Sequence, residues 1–263
     1  MLETFHKNWK KATEMHLQLY VTHLHTNVHL KASTIKSHLS AISFYQQYHF
    51  NKNFTDSFAI KKLLKYYTKL DGKTGIRHPI TQNVLEKIVL NLTNANMDDY
   101  YKHAFLCMYN MMFLMALRVS EIADYSDCFS HAIKFNDIFI SRKHVRIILR
   151  TCKHNSEPTT FCIQDQNFKK LLTNWLKIRG TKQGCLFIHS NGIKFSRLFI
   201  YNQLKSDIEQ IGLNPASFNT HSFRKGRATS LALQGFSTKK IAAIGRWKSN
   251  AYKKYIDPSI IHI

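Results

Sequence analysis

The chain has 263 residues, enough for one large domain or two of ordinary size, each with a real core. Hydrophobic residues make up 44% and charged residues 21%, which is typical of a folded protein and excludes general disorder. The 38 Lys and Arg against 16 Asp and Glu give a net charge of +22, and so large an excess favours a polyanionic partner.

Other features of the sequence bear on its location. No run approaches the roughly 18 uncharged apolar residues of a membrane span, and no signal peptide opens the chain. None of the five cysteines belongs to a CxxC pair, so we expect reduced core thiols. These features predict an intracellular protein with no membrane partner, in the nucleus if the host is eukaryotic and otherwise in the cytoplasm.

The N-terminal part predicts a small all-helical unit. Apolar residues recur at three- and four-residue steps over residues 3–24, 31–49 and 56–70. Ser33 or Thr34 is expected to cap the second of these helices. Lysines accompany the third helix, so the predicted unit is basic on its flanks.

A linker follows this unit. The stretch DGKTGIRHPI, residues 71–80, holds two of the nine glycines and one of the four prolines. We therefore expect a helical domain over residues 1–72, a linker over 73–80 and a second domain over 81–263. Residues 1–76 carry 11 Lys and 4 acids, a net charge of +7, so the rest carries +15 and both domains are expected to contact nucleic acid.

The second domain begins with helices and then changes character. Thr81 is expected to cap one helix, and the nearly all-apolar residues 100–117 predict a long buried helix. KFNDIFI, HVRIILRTC and TTFCIQ, within residues 134–164, predict three strands with CKHNSEP as a hairpin turn. The pattern beyond is again helical, over 166–178, 196–211, 221–234, 237–246 and 248–256. The sequence thus predicts a mainly α fold with a small antiparallel β-sheet, of the α+β class.

Two arginines are the strongest candidates for a functional site. Arg118, in ALRVSEI, ends the apolar helix, where an arginine is either paired or functional. His221 and Arg224, in HSFR, lie one helical turn apart and so face the same way. The planar guanidinium donates two parallel hydrogen bonds and keeps its proton, which suits the charge that develops when a phosphodiester is attacked. A neutral imidazole beside it can accept a proton or bind a phosphate oxygen.

The acid and the nucleophile each have two candidates. Lys153 at the tip of the predicted hairpin can deliver a proton, and Lys143 between the first two strands is its alternative. Tyr255 is the candidate nucleophile, because many cations surround it in the sequence and a phenol of pKa near ~10 needs activation. Tyr252, one turn earlier, is its rival.

These motifs together resemble the tyrosine recombinase (phage integrase) family. ALRVSEI matches the family's first arginine box, HSFR its HxxR box, and GRWKSNAYKKYI its last box, where a His or Trp precedes the tyrosine. RHPIT is similar to the start of the family's catalytic domain and STIKSHLSAISFY to its helical core-binding domain. Within the family, the GRW motif and the AYxxY motif after it most resemble the sequences of Crypton- and DIRS-type mobile-element recombinases.

The resemblance implies a site-specific recombinase or integrase and assigns roles residue by residue. Arg118, Arg224 and His221 would hold the scissile phosphate, with Glu121 supporting them. Lys153 would be the general acid, Trp247 would pack and hydrogen-bond at the phosphate, and Tyr255 would attack to form a 3′-phosphotyrosine. The resemblance further implies double-stranded DNA as partner, a homotetramer on that DNA, and no metal, cofactor or ATP.

The chain departs from the family pattern at its ends. The step from Trp247 to Tyr255 is eight residues, one shorter than in many members, which keeps Tyr252 as a rival. Only eight residues follow Tyr255, and the first predicted helix starts almost at Met1, so the sequence leaves open whether the family's N-terminal arm is missing. The alternative functions are a type IB topoisomerase and an inactive, domesticated DNA-binding protein. A metal site at His23, His25 and His29 is disfavoured, because no Cys or carboxylate spacing supports it.

Overall fold

The computed structural model describes residues 12–72, 75, 77–123, 131–151, 157–247 and 250–256. The chain divides into two compact units, Met1–Gly75 and Ile76–Ile263. In the part of the chain that the structure describes, no helix combines the length and apolarity needed to cross a membrane.

The first unit packs three helices around one small core. They are α1 (Glu14–Thr26), α2 (Ala32–Phe50) and α3 (Phe58–Leu70), with a 3₁₀ turn at Phe54–Asp56 before α3. The second and third helices turn inward the apolar stripes that their periodicity predicts. The first does not, because the predicted stripe residues Met15 and Leu19 are exposed and Leu17, Val21 and Leu24 are buried in their place. The core residues are Leu17, Val21, Leu24, Ala32, Ile35, Leu39, Ile60, Leu64 and Tyr67.

The prediction that Ser33 or Thr34 caps α2 is wrong. The residue before the helix is Lys31, which makes no side-chain cap. Instead the Asp71 carboxylate, just past the end of α3, accepts from the Ala32 N–H at 2.6 Å through Oδ2 and contacts His25 Nε2 at 3.0 Å through Oδ1. These bonds, above all the one from Ala32, hold the pKa of Asp71 below its ordinary value.

The second unit is a helical body that carries a small sheet. Its helices are α4 (Gln82–Asn94), α5 (Asp99–Leu114), α6 (Gln166–Arg179), α7 (Arg197–Gln210), α8 (His221–Leu233) and α9 (Thr238–Gly245). The strands β1 (Ile138–Ile140), β2 (Val145–Leu149) and β3 (Thr159–Ile163) form an antiparallel sheet in that order. Val145 pairs with both Ile140 and Ile163. The predicted fold class is confirmed, and Thr81 caps α4 by accepting from the Val84 N–H.

Several predicted elements have different bounds. The helix predicted over residues 3–24 begins, in its described part, at Glu14 after the N-cap Thr13 and ends at Thr26, and the second strand covers only Val145–Leu149. The first strand is shorter than expected, because Phe135–Asp137 form a 3₁₀ turn in which buried Asp137 accepts from the Lys134 N–H at 3.0 Å and from Arg150 Nε at 2.6 Å. Helix α5 ends at Leu114, three residues early. The described part of the expected 248–256 helix is a 3₁₀ turn at Asn250–Lys254.

The described cysteines fit the prediction of core thiols only in part. Cys107 and Cys185 are free and buried, and burial raises the pKa of the Cys107 thiol. Cys162 is also free, but it lies exposed on β3, where alternate side chains face away from the core. Cys128 and Cys152 lie outside the described residues.

The segment that enters the second unit is fastened to the start of α8. The His78 N–H donates to Ser217 O at 2.8 Å, the Ile80 N–H donates to Ser222 O at 2.9 Å, and Lys225 Nζ donates to Arg77 O at 2.8 Å. The fit is closest at Gly226, where an added Cβ would lie 1.6 Å from Ile80 O. Only a residue without a side chain allows this approach.

Candidate active site

The ends of α5 and α9 are built alike. After α5, the Ala116 N–H bonds Phe113 O and the Leu117 N–H bonds Met112 O; after α9, the Arg246 N–H bonds Ala243 O and the Trp247 N–H bonds Ala242 O. Both are Schellman turns, which require one residue in the left-handed region. Those residues are Ala116 at φ 47° and Arg246 at φ 55°. Each turn redirects the chain, and Arg118 lies two residues after the left-handed Ala116, whereas Trp247 directly follows the left-handed Arg246.

Arg224 joins these two helix ends from its place on α8. Its side chain is completely buried, and its Nη1 and Nη2 donate to Ala116 O and to Gly245 O. Carbonyls at helix C-termini carry partial negative charge, which favours a cation between them. Burial, followed by the nearby positive charges of Arg118 and Arg246, lowers the pKa of Arg224 to about 10, so the guanidinium stays charged at neutral pH.

A buried carboxylate links two further arginines. Glu121 Oε2 accepts from the Arg118 N–H at 2.8 Å and from Arg246 Nη2 at 2.7 Å, and its Oε1 accepts from Arg118 Nη1 at 3.2 Å. The Glu121 side chain is 1% exposed and that of Arg118 is 18% exposed. Arg118 therefore keeps a partly open guanidinium whose direction is set by Glu121.

His221 begins α8, one turn from Arg224. The residue remains accessible to solvent, and its backbone N–H donates to Asn219 Oδ1 at 2.9 Å. Partial burial of the ring, and then the positive charges of Arg224 and Arg118, lower the pKa of His221 below its ordinary value. The imidazole is therefore neutral at pH 7 and can accept a proton.

Trp247 and Tyr255 lie against the Arg224 guanidinium. The Arg224 Cζ is 4.4 Å from the centroid of the Trp247 ring and 5.7 Å from that of Tyr255, and the two rings are 5.0 Å apart. Thr229 Oγ1 donates to Tyr255 O at 3.3 Å, which ties the tyrosine backbone to α8. The structure thus brings together Arg118, Glu121, His221, Arg224, Trp247 and Tyr255.

The two candidate tyrosines pack in the same small cluster but differ in burial and in their neighbours. Tyr252 is 8% exposed and packs in a small cluster with Ala228, Leu231 and Ile241. Tyr255 is only partly buried and follows the 3₁₀ turn, with its N–H bonded to Tyr252 O at 2.8 Å. Of the two tyrosines, Tyr255 is the one whose ring lies beside the Arg224 guanidinium.

Of the two candidates for the acid, the described residues include Lys143. Lys153 lies outside the described residues, in the connection between β2 and β3. Lys143 is exposed in the turn between β1 and β2, which is closed by Ser141 and His144. The choice of Lys153 stays a prediction.

Sequence reasoning missed three residues of this region. Arg246 was not singled out, although it bonds Glu121. Gly245 was also missed; an added Cβ there would lie 1.9 Å from Trp247 Cζ3, so the indole rests on the glycine. Gly226 is the third. The GRW motif could have drawn attention to Gly245 and Arg246. It does not reveal the contact of Arg246 with Glu121, because the two residues are 125 positions apart in the chain.

No group of described His, Cys, Asp and Glu side chains is arranged to hold a metal ion. His25, one member of the disfavoured histidine cluster, instead stacks on Tyr67 with ring centroids 3.9 Å apart and bonds Asp71. The described donors of the candidate site are guanidinium, imidazole and indole N–H groups, which suit an anion.

The fold is that of a tyrosine recombinase, an enzyme class that breaks and rejoins DNA strands. A model of the phage integrase family matches residues 78–259, and the chain belongs to that family. A search of curated protein sequences found no match.

Solved structures share the fold at low sequence identity. XerH site-specific recombinase bound to palindromic difH substrate has a TM-score of 0.70 and 16% identity, over 96% of this chain and 72% of that one. The Tn1549 transposon integrase in complex with circular intermediate DNA has a TM-score of 0.66 and 14% identity, over 94% and 81%. A lambda integrase dimer bound to a COC′ core site has a TM-score of 0.58 and 15% identity, over 95% and 66%.

Proposed function

We propose that this chain cuts and rejoins DNA at specific sites with Tyr255 as its nucleophile. The observation that carries the proposal is a pair of buried donors beside that tyrosine: Arg224 Nε and Trp247 Nε1 have no hydrogen-bond partner among the described residues. Arg227 Nε, one turn further along α8, is in the same state. A buried donor left unsatisfied costs free energy, so a native protein rarely keeps one without use. A phosphate oxygen is the acceptor that both N–H groups fit.

The charge of the cluster suits the reaction. Three guanidiniums, of Arg118, Arg224 and Arg246, surround one carboxylate, that of Glu121. The surplus of positive charge matches the negative charge that builds on the non-bridging oxygens when a phosphodiester is attacked. Because the donors are held by helix ends and by Glu121, they are oriented before the substrate arrives.

The proposed cleavage step is a transfer of the phosphodiester to the enzyme. The Tyr255 Oη attacks the phosphorus, the bond from phosphorus to the 5′ oxygen breaks, and a 3′-phosphotyrosine remains. Neutral His221 is the proposed acceptor of the tyrosine proton, and Lys153 is the proposed donor of a proton to the departing 5′ oxygen. Attack by the 5′-hydroxyl of a partner strand reverses these steps and joins the new strands.

Substrate binding has to uncover the site. Arg224 is fully buried, with Trp247 and Tyr255 lying against its guanidinium. A scissile phosphate can therefore reach Arg224 only when at least one of these rings moves. We infer that DNA binding shifts the segment that carries Tyr255, and that the movement turns its hydroxyl towards the phosphorus.

Double-stranded DNA is the proposed partner, and a homotetramer on DNA the proposed assembly. The support is the charge of +22 over the chain and the similarity to XerH and the Tn1549 integrase, which are described in complex with DNA. Contacts to many phosphates release counterions, so affinity should fall steeply between low and physiological salt. A flat salt response would contradict the proposed partner.

We further propose an origin in a mobile element of the Crypton or DIRS type, and an intracellular location that is nuclear in a eukaryotic host. The support for this origin is the resemblance of the sequence GRWKSNAYKKYI, residues 245–256, to recombinases of those elements. Excision or integration of a DNA segment flanked by the element's own ends would test it.

The test of the nucleophile compares two conservative variants. A labelled, nicked suicide substrate is incubated with Tyr255→Phe and with Tyr252→Phe, and covalent adducts are separated on a denaturing gel. Tyr252→Phe should form the adduct, because that ring is a packing residue, whereas Tyr255→Phe should bind DNA and form none. An adduct that survives Tyr255→Phe and vanishes in Tyr252→Phe would move the nucleophile to Tyr252.

The same substrate separates the proposed function from its rivals. Joints between two paired sites indicate recombination, whereas relaxation of supercoiled DNA without such joints indicates a type IB topoisomerase. Binding with no adduct from the wild-type chain indicates an inactive descendant. Each reaction should also run in excess chelator, because no metal is expected, and rescue by magnesium would contradict that expectation.

A further inference from the structure

Arg246 is an arginine of this region to which the recombinase resemblance gives no role. Its Nη2 donates to Glu121 Oε2 at 2.7 Å and its Nη1 donates to Met115 O at 3.1 Å. Its Cζ also lies 5.0 Å from the centroid of the Phe161 ring on β3. The side chain is 9% exposed, so Arg246 joins the end of α9 to the end of α5 and to the sheet from a buried position.

The backbone of Arg246 shows that this side chain is kept at some cost. Its φ of 55° lies in the left-handed region, where glycine or asparagine is the usual residue at a helix end. A side chain with a Cβ costs roughly 1–2 kcal/mol in that conformation. A glycine would satisfy the turn more easily, so the turn itself does not require an arginine.

The contacts of Glu121 indicate what the arginine does. One carboxylate oxygen accepts from Arg118 Nη1, and the other accepts from both the Arg118 N–H and Arg246 Nη2. Without Arg246, Oε2 loses its charged partner and keeps only the Arg118 backbone N–H, so the carboxylate can turn both oxygens towards the Arg118 side chain. A two-pronged pair of this kind would neutralise Arg118 and draw it from the phosphate position.

We propose that Arg246 is a positioning residue for strand cleavage, which holds the Glu121 carboxylate so that Arg118 stays partly unneutralised and aimed at the phosphate. This inference rests on the proposed function. Arg246 also fixes the level at which the chain leaves α9, and the next residue is Trp247. It acts through Glu121 and the helix ends and does not touch the phosphate itself, because both terminal nitrogens are engaged.

The test uses Arg246→Gly, because glycine keeps the left-handed turn and removes only the side chain. The variant should melt close to the wild-type temperature and bind DNA normally, yet cleave the suicide substrate about a hundredfold more slowly, the scale expected when a catalytic group is misplaced by about 1 Å. Guanidinium ion at non-denaturing concentration should restore part of the rate, since it can refill the vacated site. Arg246→Lys should fall between, because one ammonium cannot serve Glu121 and Met115 O with the geometry of a guanidinium.

Asn51→Gly is the matched control. Asn51 ends α2 in the same left-handed conformation, at φ 49°, and this substitution should leave cleavage unchanged. A wild-type rate for Arg246→Gly would overturn the proposal. So would a loss of rate that accompanies a large fall in melting temperature and is not rescued by guanidinium, since the arginine would then only stabilise the fold.

A second readout does not depend on cleavage. The pKa of His221 is lowered in part by Arg118, so drawing Arg118 towards Glu121 should raise it. NMR titration of His221 in DNA-free wild type and Arg246→Gly should show that rise, and an unchanged value would contradict the proposal. Failure of the proposed function is seen separately, as absence of an adduct in the wild-type lane.

Discussion

In each unit one charged side chain connects separate helices through hydrogen bonds and so forms a junction, but the two side chains differ in whether all of their polar atoms have a partner. In the first unit, both Asp71 oxygens are used, by the Ala32 N–H and by His25. In the second unit, Arg224 joins two helix ends while its Nε stays without a partner among the described residues. A junction that is complete serves the fold, whereas one with a donor left over points to a ligand.

Arg224→Ala should give the largest effect and so tests this contrast most directly. It removes half of the proposed phosphate clamp, and cleavage should fall about a hundredfold or more, as when an oxyanion donor is deleted. Duplex binding should be largely kept, because one phosphate contact among many is lost. Single-turnover cleavage and fluorescence anisotropy measure the two. Cleavage near the normal rate would make Arg224 a junction like Asp71 and nothing more.

Gly245→Ala should reduce cleavage by a smaller factor, on the order of tenfold. The new Cβ would lie 1.9 Å from Trp247 Cζ3, so the indole has to move away from Arg224. Gly226→Ala is the comparison, because its Cβ would meet the backbone oxygen of Ile80, which cannot swing aside. That variant should lose about 1–3 kcal/mol of stability or more, the usual cost of overpacking. Thermal unfolding and cleavage, measured on both variants, should separate a displaced ring from a damaged core.

The pH dependence of cleavage should expose His221. Its pKa is lowered, so the imidazole is neutral at pH 7, and the rate should fall only as the pH drops below the ordinary histidine value near ~6.5. His221→Gln should cleave more slowly and should not show this fall in rate at acidic pH, the acidic limb of the profile. Single-turnover rates between pH 5 and 8 measure it. An acidic limb that persists in the variant would assign the limb to another group.

Asp71→Asn should give the smallest effect on chemistry. An amide can still accept from the Ala32 N–H but loses the charge that favours both bonds, so the melting temperature should fall while single-turnover cleavage at saturating DNA stays unchanged. Because the pKa of Asp71 is lowered on folding, its stabilisation is present above the ordinary carboxyl value near ~3.9 and is lost as the pH falls through the lowered value. The melting temperatures of wild type and variant should therefore differ at neutral pH and converge as the pH becomes acidic.

The sequence predicted most of what depends on neighbours along the chain. Helices such as α7 and α8 have nearly their expected bounds, because periodicity and breakers are local signals. It failed where a distant group decides. Asp71 caps a helix 39 residues away and Arg246 bonds a carboxylate 125 residues away, and neither separation leaves a local trace. The 3₁₀ turn at Asn250–Lys254 was missed because its sequence also suits an α-helix.

The fastening of the entry segment to α8 sets a rule for building chimeras. Residues 77–80 bond Ser217, Ser222 and Lys225, and Gly226 accepts the backbone of Ile80, so this short segment belongs to the helix that carries His221 and Arg224. A foreign N-terminal module should therefore be joined before Arg77. A junction placed after Ile80 would exchange these contacts for those of another protein and would leave the catalytic helix without its natural support.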